Sequence, residues 1–108
     1  MDHRYGFIGT FVAESGRRDE LVALLLHAAE ALEGNADCLL YLIAASDDDA
    51  GAVVVTEMWT SKAAHDASLE SEEVRATVRP AMPLIAAIPE RRELRVLGGK
   101  GFGGPPGP

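Results

Sequence analysis

Two apolar runs constrain this chain most. "CLLYLIAA" at residues 38–45 and "AVVVTEMWT" at residues 52–60 are joined only by "SDDDAG". Each run is rich in branched and aromatic residues, so each reads as a strand. The aspartates and glycine between them favour a tight reversal, so the pair predicts a β-hairpin. Neither strand alternates apolar with polar. Leu39, Tyr41 and Ile43 oppose Leu40 and Leu42, and Val53, Val55 and Trp59 oppose Val54 and Met58. A sheet with one wet face would alternate, so both faces of this one are expected to be covered.

The flanking segments supply one cover. "YGFIGTFVAE" at residues 5–14 predicts a first strand, with Phe7 and Phe11 on one side and Ile8 and Val12 on the other. Ser15 is a candidate N-cap for a helix reaching to about residue 33, with Asp19 and Glu20 in its first turn. Leu21, Leu24, Leu25, Ala28, Ala29 and Leu32 form one apolar face of that helix. Ser61 is expected to cap a second helical region that breaks near "LESEE", restarts, and kinks or ends at Pro80 and Pro83. "RRELRVL" at residues 91–97 predicts a last strand. The order β-α-β-β-α-β is the ferredoxin-like, split βαβ arrangement, α+β in class, with helices on one face of a four-stranded antiparallel sheet. The other face is then left for a second copy of the chain, and a homodimer packed sheet to sheet is the expectation.

The chain is a single domain by length, 108 residues, with residues 1–97 as the folded unit. Residues 98–108 are almost all glycine and proline, a composition expected to stay disordered. The formal net charge of −7 argues against nucleic acid and against an anionic membrane surface as partners. The first residues show no leader-like apolar stretch, and no segment is long enough to span a bilayer, so the cytoplasm is the expected compartment. Cys38 is the single cysteine and reads as a buried, inert thiol.

Residues able to carry chemistry are sparse. His3, His27 and His65 lack the spacing of metal ligands, and "DDD" lacks the glycine and final glutamate of a calcium loop. No phosphate-binding, nucleophile-elbow or dinucleotide motif is present. The lysine of the glycine-rich tail is followed by no helix. Glu57 and Trp59 remain, two residues apart and therefore on one face of a strand. Glu57 is expected either to pair with an arginine such as Arg92 or Arg95, or to be a buried carboxyl whose pKa is raised. Trp59 offers core packing or a flat stacking surface. His65 lies one turn beyond Ser61, on the face shared with Ser68 and Leu69. Arg79 stands beside Pro80 as a helix-end cation or an anion clamp.

The spacing Glu57, Trp59, Ser61, Ala64 resembles the antibiotic biosynthesis monooxygenase superfamily. So do "YGFIGTF", "ESGRRDEL", "CLLY" and "TEMWTSKAAHDASLES". The resemblance covers most of residues 5–97. It implies a ferredoxin-like protein that dimerises into an α/β barrel. It also implies a cofactor-independent oxygenase acting with dioxygen on a small aromatic substrate, an anthrone, hydroquinone or other phenol. In the anthrone-oxidising branch a tryptophan, a tyrosine and an arginine act on substrate; by ungapped spacing these fall on Trp59, His65 and Arg79. The branch's asparagine falls on Val55 and is missing. Quinol-type relatives carry a histidine where this chain has Ser68, and the histidine of heme-degrading relatives has no counterpart in "ATVRP".

The resemblance thus implies that Trp59 stacks on substrate, His65 is the base, and Arg79 stabilises the anion. Tyr41, Glu57 and Ser68 are the implied substrate-contacting residues, and no metal or other cofactor is expected. The same groups would also serve a cyclase or isomerase, or a non-catalytic ligand-binding dimer, because fold does not set function.

Overall fold

The computed structural model describes residues 4–101. His3 and residues 102–108 of the tail lie outside the described residues. Four strands form one antiparallel sheet: β1 (Arg4–Ala13), β2 (Cys38–Ala45), β3 (Ala52–Trp59) and β4 (Ile85–Val96), in spatial order β2-β3-β1-β4. Three helices, α1 (Arg18–Ala31), α2 (Lys62–Ser68) and α3 (Glu72–Val78), and a 3-10 helix (Arg79–Leu84) are the other elements among the described residues. This is the α+β, ferredoxin-like arrangement expected from the sequence. No helix among the described residues is long and apolar enough to cross a membrane.

The hairpin turn closes as its composition requires. Ser46 Oγ accepts from the amides of Asp48 and Asp49, and Asp49 Oδ1 accepts from that of Gly51. Arg18 reaches across from α1 and donates to the carbonyls of Ser46 and Asp49. The aspartate run is therefore a turn tied to a helix. No group of three or more His, Cys, Asp or Glu that could hold a metal ion occurs among the described residues.

Two boundaries differ from expectation. Helix α1 begins after Arg17 instead of Ser15, because Ser15 and Gly16 are spent in a turn closed by the Arg17 amide on the Glu14 carbonyl. Gly16 takes φ +75°, a conformation that favours glycine. Strand β4 starts at Ile85, six residues before the predicted start. Between the pairs Thr10↔Glu90 and Val12↔Ala87 the register slips by one residue, a bulge that contains Pro89. Proline has no amide to give a ladder, and an edge strand at a bulge is where a sheet accepts it. The pattern "IAAIPE" therefore hides a strand.

Ser61 caps α2 as expected, its hydroxyl accepting from the Ala64 amide, and Ser71 caps α3 in the same way after the break near "LESEE". The main core lies between α1 and the sheet, with Leu21, Leu25, Val53 and Val55 at its centre. A second core gathers Tyr5, Phe7, Leu32, Trp59 and Val74 at the other end. On the face without helices, Leu42 is 52% exposed and Leu94 is 40% exposed in the single chain.

Candidate active site

A cavity of about 520 Å³ opens between the sheet and the helices. Period-two geometry places Tyr5, Phe7 and Phe11 of β1 on its sheet side, beside Val55 and Glu57 of β3. Tyr41 of β2 faces Glu57 in register. Helix α2 supplies Lys62, His65 and Asp66, and β4 supplies Arg91 and Glu93. Gly9 lets the apolar wall form: a Cβ there would lie 2.9 Å from the Phe7 ring and 3.2 Å from the Phe11 ring.

Glu57 and His65 form the polar centre, with side chains only 12% and 14% exposed. Glu57 Oε1 lies 3.8 Å from His65 Nε2 and accepts a hydrogen bond from Trp59 Nε1 at 3.0 Å. Burial pushes the Glu57 carboxyl above the usual carboxylate range; the Trp59 hydrogen bond and the nearby imidazole pull part of the way back. His65 Nδ1 lies 2.9 Å from Asp66 Oδ1. A carboxylate only accepts, so Nδ1 carries the proton toward Asp66, and in the neutral ring Nε2 keeps its lone pair at the cavity wall.

The imidazole is fixed on its faces as well. It packs against Tyr5 at 4.9 Å between centroids and meets Trp59 edge-on at 5.5 Å. Asp66 is shared with Lys62 at 3.2 Å, and Lys62 also approaches Glu93 at 3.4 Å. Glu93 in turn accepts from the Tyr5 hydroxyl at 2.9 Å. The His65 hydrogen bond first, then Lys62, holds Asp66 below its ordinary pKa; Glu93 is held down first by Tyr5 and then by Lys62. Burial, and the neighbouring carboxylates after it, raises both Tyr5 and Tyr41, so both stay neutral phenols.

The sequence-predicted site residues separate into two groups. His65, Glu57 and Tyr41 meet at the cavity. Trp59 does not line it: the ring is 1% exposed and lies beneath Glu57, so it offers a hydrogen bond and not a stacking face. Ser68 is buried, and its hydroxyl donates to the His65 carbonyl at 2.6 Å, a bond within the helix. Arg79 has a side chain that is 68% exposed and sits 3.6 Å from Glu72. It borders a small neighbouring recess with Val74 and Met82, outside the main cavity. The expected partners of Glu57 are also replaced. Arg92 pairs across from Ile8, on the opposite face of the sheet, and bonds Glu90. Arg95 makes no bond to Glu57; Trp59 and His65 take that place. Cys38 is half-buried where the sequence predicts a buried thiol, and burial, then Glu57, pushes its pKa up.

Tyr5, Phe7, Asp66, Arg91 and Glu93 escaped the sequence reading. The parity of Tyr5 and Phe7 with Glu57 would have revealed them once the β1–β3 register was known. Lys62 and Asp66 stand at i and i+4 beside His65. Arg91 and Glu93 needed the β1–β4 register, which pairs segments more than eighty residues apart.

Among curated proteins none matches significantly. Solved structures do. A protein from Chloroflexus aurantiacus J-10-fl, provisionally named an antibiotic biosynthesis monooxygenase, is 38% identical with a TM-score of 0.86, covering 93% of this chain and 99% of its own. A protein so named from Caulobacter crescentus CB15 is 21% identical, with a TM-score of 0.81 and coverage of 88% and 91%. PA3566 from Pseudomonas aeruginosa is 21% identical, with a TM-score of 0.79 and coverage of 91% and 98%. These last two speak for the fold alone. The sequence profile of the antibiotic biosynthesis monooxygenases matches residues 5–80. With a matched profile over most of its length and a relative that shares both fold and sequence, the chain belongs to the antibiotic biosynthesis monooxygenase family.

Proposed function

We propose that this chain is a cofactor-independent monooxygenase that oxidises a phenolic, anthrone or hydroquinone-type aromatic with dioxygen. The observation that carries the reading is the line Asp66–His65–Glu57 on the wall of a largely apolar cavity. About 520 Å³ is a volume in the range of small-molecule sites.

In this reading His65 Nε2 removes the substrate's acidic proton. Asp66, bonded to Nδ1, and Glu57, near Nε2, stabilise the imidazolium that forms. The resulting enolate or phenolate passes one electron to dioxygen, giving a substrate radical and superoxide. Their recombination forms a C–O bond, and His65 returns the proton to the peroxide. For an anthrone, the O–O bond then breaks with loss of the remaining C–H proton. One oxygen stays as a carbonyl and the other leaves as water. The substrate CH₂ is oxidised to C=O as one O₂ is reduced.

Trp59 acts indirectly, holding the Glu57 carboxylate, and Ser68 steadies the turn that carries His65. Tyr41 contributes a neutral wall. Arg79, exposed and paired with Glu72, is given no role. The apolar face around Leu42 and Leu94 supports a homodimer joined sheet to sheet.

Oxygen uptake by metal-free protein supplied with an anthrone or hydroquinone tests the reading. Uptake should fall by roughly 10²–10⁴-fold in His65→Ala, the usual contribution of a positioned general base. Unchanged uptake in that variant removes His65 from the mechanism. Product formed under nitrogen would replace the oxygenase by an isomerase or cyclase.

A further inference from the structure

We propose that Arg91 is the substrate's anion-recognition residue, and that the cavity takes a planar aromatic bearing a carboxylate or an equally acidic oxygen at one end. The inference rests on reading this cavity as the aromatic site, and is independent of the oxygen chemistry.

Six charged or titratable side chains other than tyrosine face the cavity: Glu57, Lys62, His65, Asp66, Arg91 and Glu93. Five are mutually engaged. Lys62 lies between Asp66 and Glu93, and His65 between Asp66 and Glu57. Arg91 makes no ion pair with any described carboxylate. Its guanidinium stands 5.9 Å from the centre of the Phe7 ring. It is held there by strand register, since Arg91 faces Gly9 across the β1–β4 ladder. Gly9 has no side chain to contest that space, and the Phe7 and Phe11 rings close over it.

The consequence is a directional site. Along the β1–β4 ladder Glu93 faces Phe7, on the side of Tyr5 and His65, and Arg91 faces Gly9, one same-face step further toward Phe11. The acids Glu57, Asp66 and Glu93 gather on the His65 side, so a group already ionised before binding is disfavoured there. The next same-face position holds a guanidinium that makes no ion pair among the described residues, in a chain whose net charge is −7. A guanidinium matches a carboxylate with two parallel hydrogen bonds, which Lys62, already shared by two acids, does not offer. The anionic group therefore seats at Arg91, and the un-ionised hydroxyl or methylene points to His65.

Titration calorimetry with anthraquinone-2-carboxylate and its neutral carboxamide tests this, because neither probe is oxidised by dioxygen. Wild-type protein should prefer the carboxylate by roughly tenfold or more, the scale of a charge-assisted hydrogen bond. Arg91→Gln should erase the preference, lowering the carboxylate affinity far more than the carboxamide affinity. Arg91→Lys should keep part of it, added salt should weaken it, and Arg92→Gln on the opposite face should leave it intact. Arg91 is exposed, so Arg91→Gln should keep the wild-type circular dichroism and urea midpoint. A preference that survives Arg91→Gln overturns the assignment, as does equal binding of both probes, or binding of neither. Oxygen uptake with a hydroquinone reports separately. Preference without uptake keeps Arg91 and removes the oxygenase, while uptake without preference does the reverse.

Discussion

The indole nitrogen of Trp59, on a ring that is 1% exposed, donates to the carboxylate of Glu57 at 3.0 Å. The bond joins the second core to the cavity. Its donor is enclosed by protein, while its acceptor faces the site. The chain's only tryptophan therefore reaches the candidate site from below, aiming the Glu57 carboxyl and offsetting part of the upward push that burial gives its pKa.

Trp59→Phe should retain most of the packing and lose the donor. A buried acceptor deprived of its partner costs about 1–3 kcal/mol. Urea denaturation at neutral pH should register that loss. The Glu57 carboxyl should titrate still higher, because a hydrogen bond that favours its charged form is gone. Carboxyl resonances followed by NMR across a pH series would check this second effect. A Glu57 titration that stays put would mean that the bond does not tune the group.

Glu57 should also leave a mark on stability against pH. Its folded pKa is raised, so between the ordinary carboxylate range and that higher value the folded state holds more protons than the unfolded one. Stability then falls as pH rises through this window. Asp66 and Glu93 act in the opposite sense: their folded values are lowered, and they lose stability as pH falls through the acid range. Subtracting the Glu57→Gln profile from wild type isolates the first effect. The wild type should lose ground to Glu57→Gln as pH rises from about 4, near the ordinary glutamate pKa, and the gap should level off above the folded pKa. Parallel profiles would contradict the buried-carboxyl assignment.

Gly9→Ala should disturb the cavity more than the fold. The new methyl would meet the Phe7 and Phe11 rings within 2.9 and 3.2 Å. Ring displacement of this kind costs about 1–3 kcal/mol. Affinity for a flat aromatic probe should drop together with shifts in the Phe7 and Phe11 ring resonances. Unaltered affinity would show that the two rings do not bound the ligand.

Leu42→Asp should act on association. Leu42 is 52% exposed on the face without helices, so a charge there is cheap in the monomer and costly in a sheet-to-sheet interface. Sedimentation of the wild type should give a dimer, and Leu42→Asp should shift it toward monomer with the urea-monitored fold preserved. Wild-type protein sedimenting as a monomer at micromolar concentration would remove the interface.

How far the sequence reaches differs between fold and site. Strand periodicity, the aspartate turn, and Ser61 before a helical pattern are local signals, and each holds in the structure. Together they specify the order of elements and the parity that puts Glu57 beside Trp59. They do not specify depth or docking. His65 could have faced solvent; it meets Glu57 because α2 packs across β1 and β3 beside Tyr5. Arg79 could have turned inward; the 3-10 helix that begins with it turns it to Glu72 and solvent. Glu93 reaches Tyr5, and Arg91 reaches Phe7, over more than eighty residues of sequence, through the β1–β4 register. The sequence by itself determined which elements form and which residues share a strand face, because those depend on backbone preferences and periodicity over a few residues. The tertiary structure alone decided which side chains meet in the cavity, because helix docking and strand register are set by packing between segments distant in the chain.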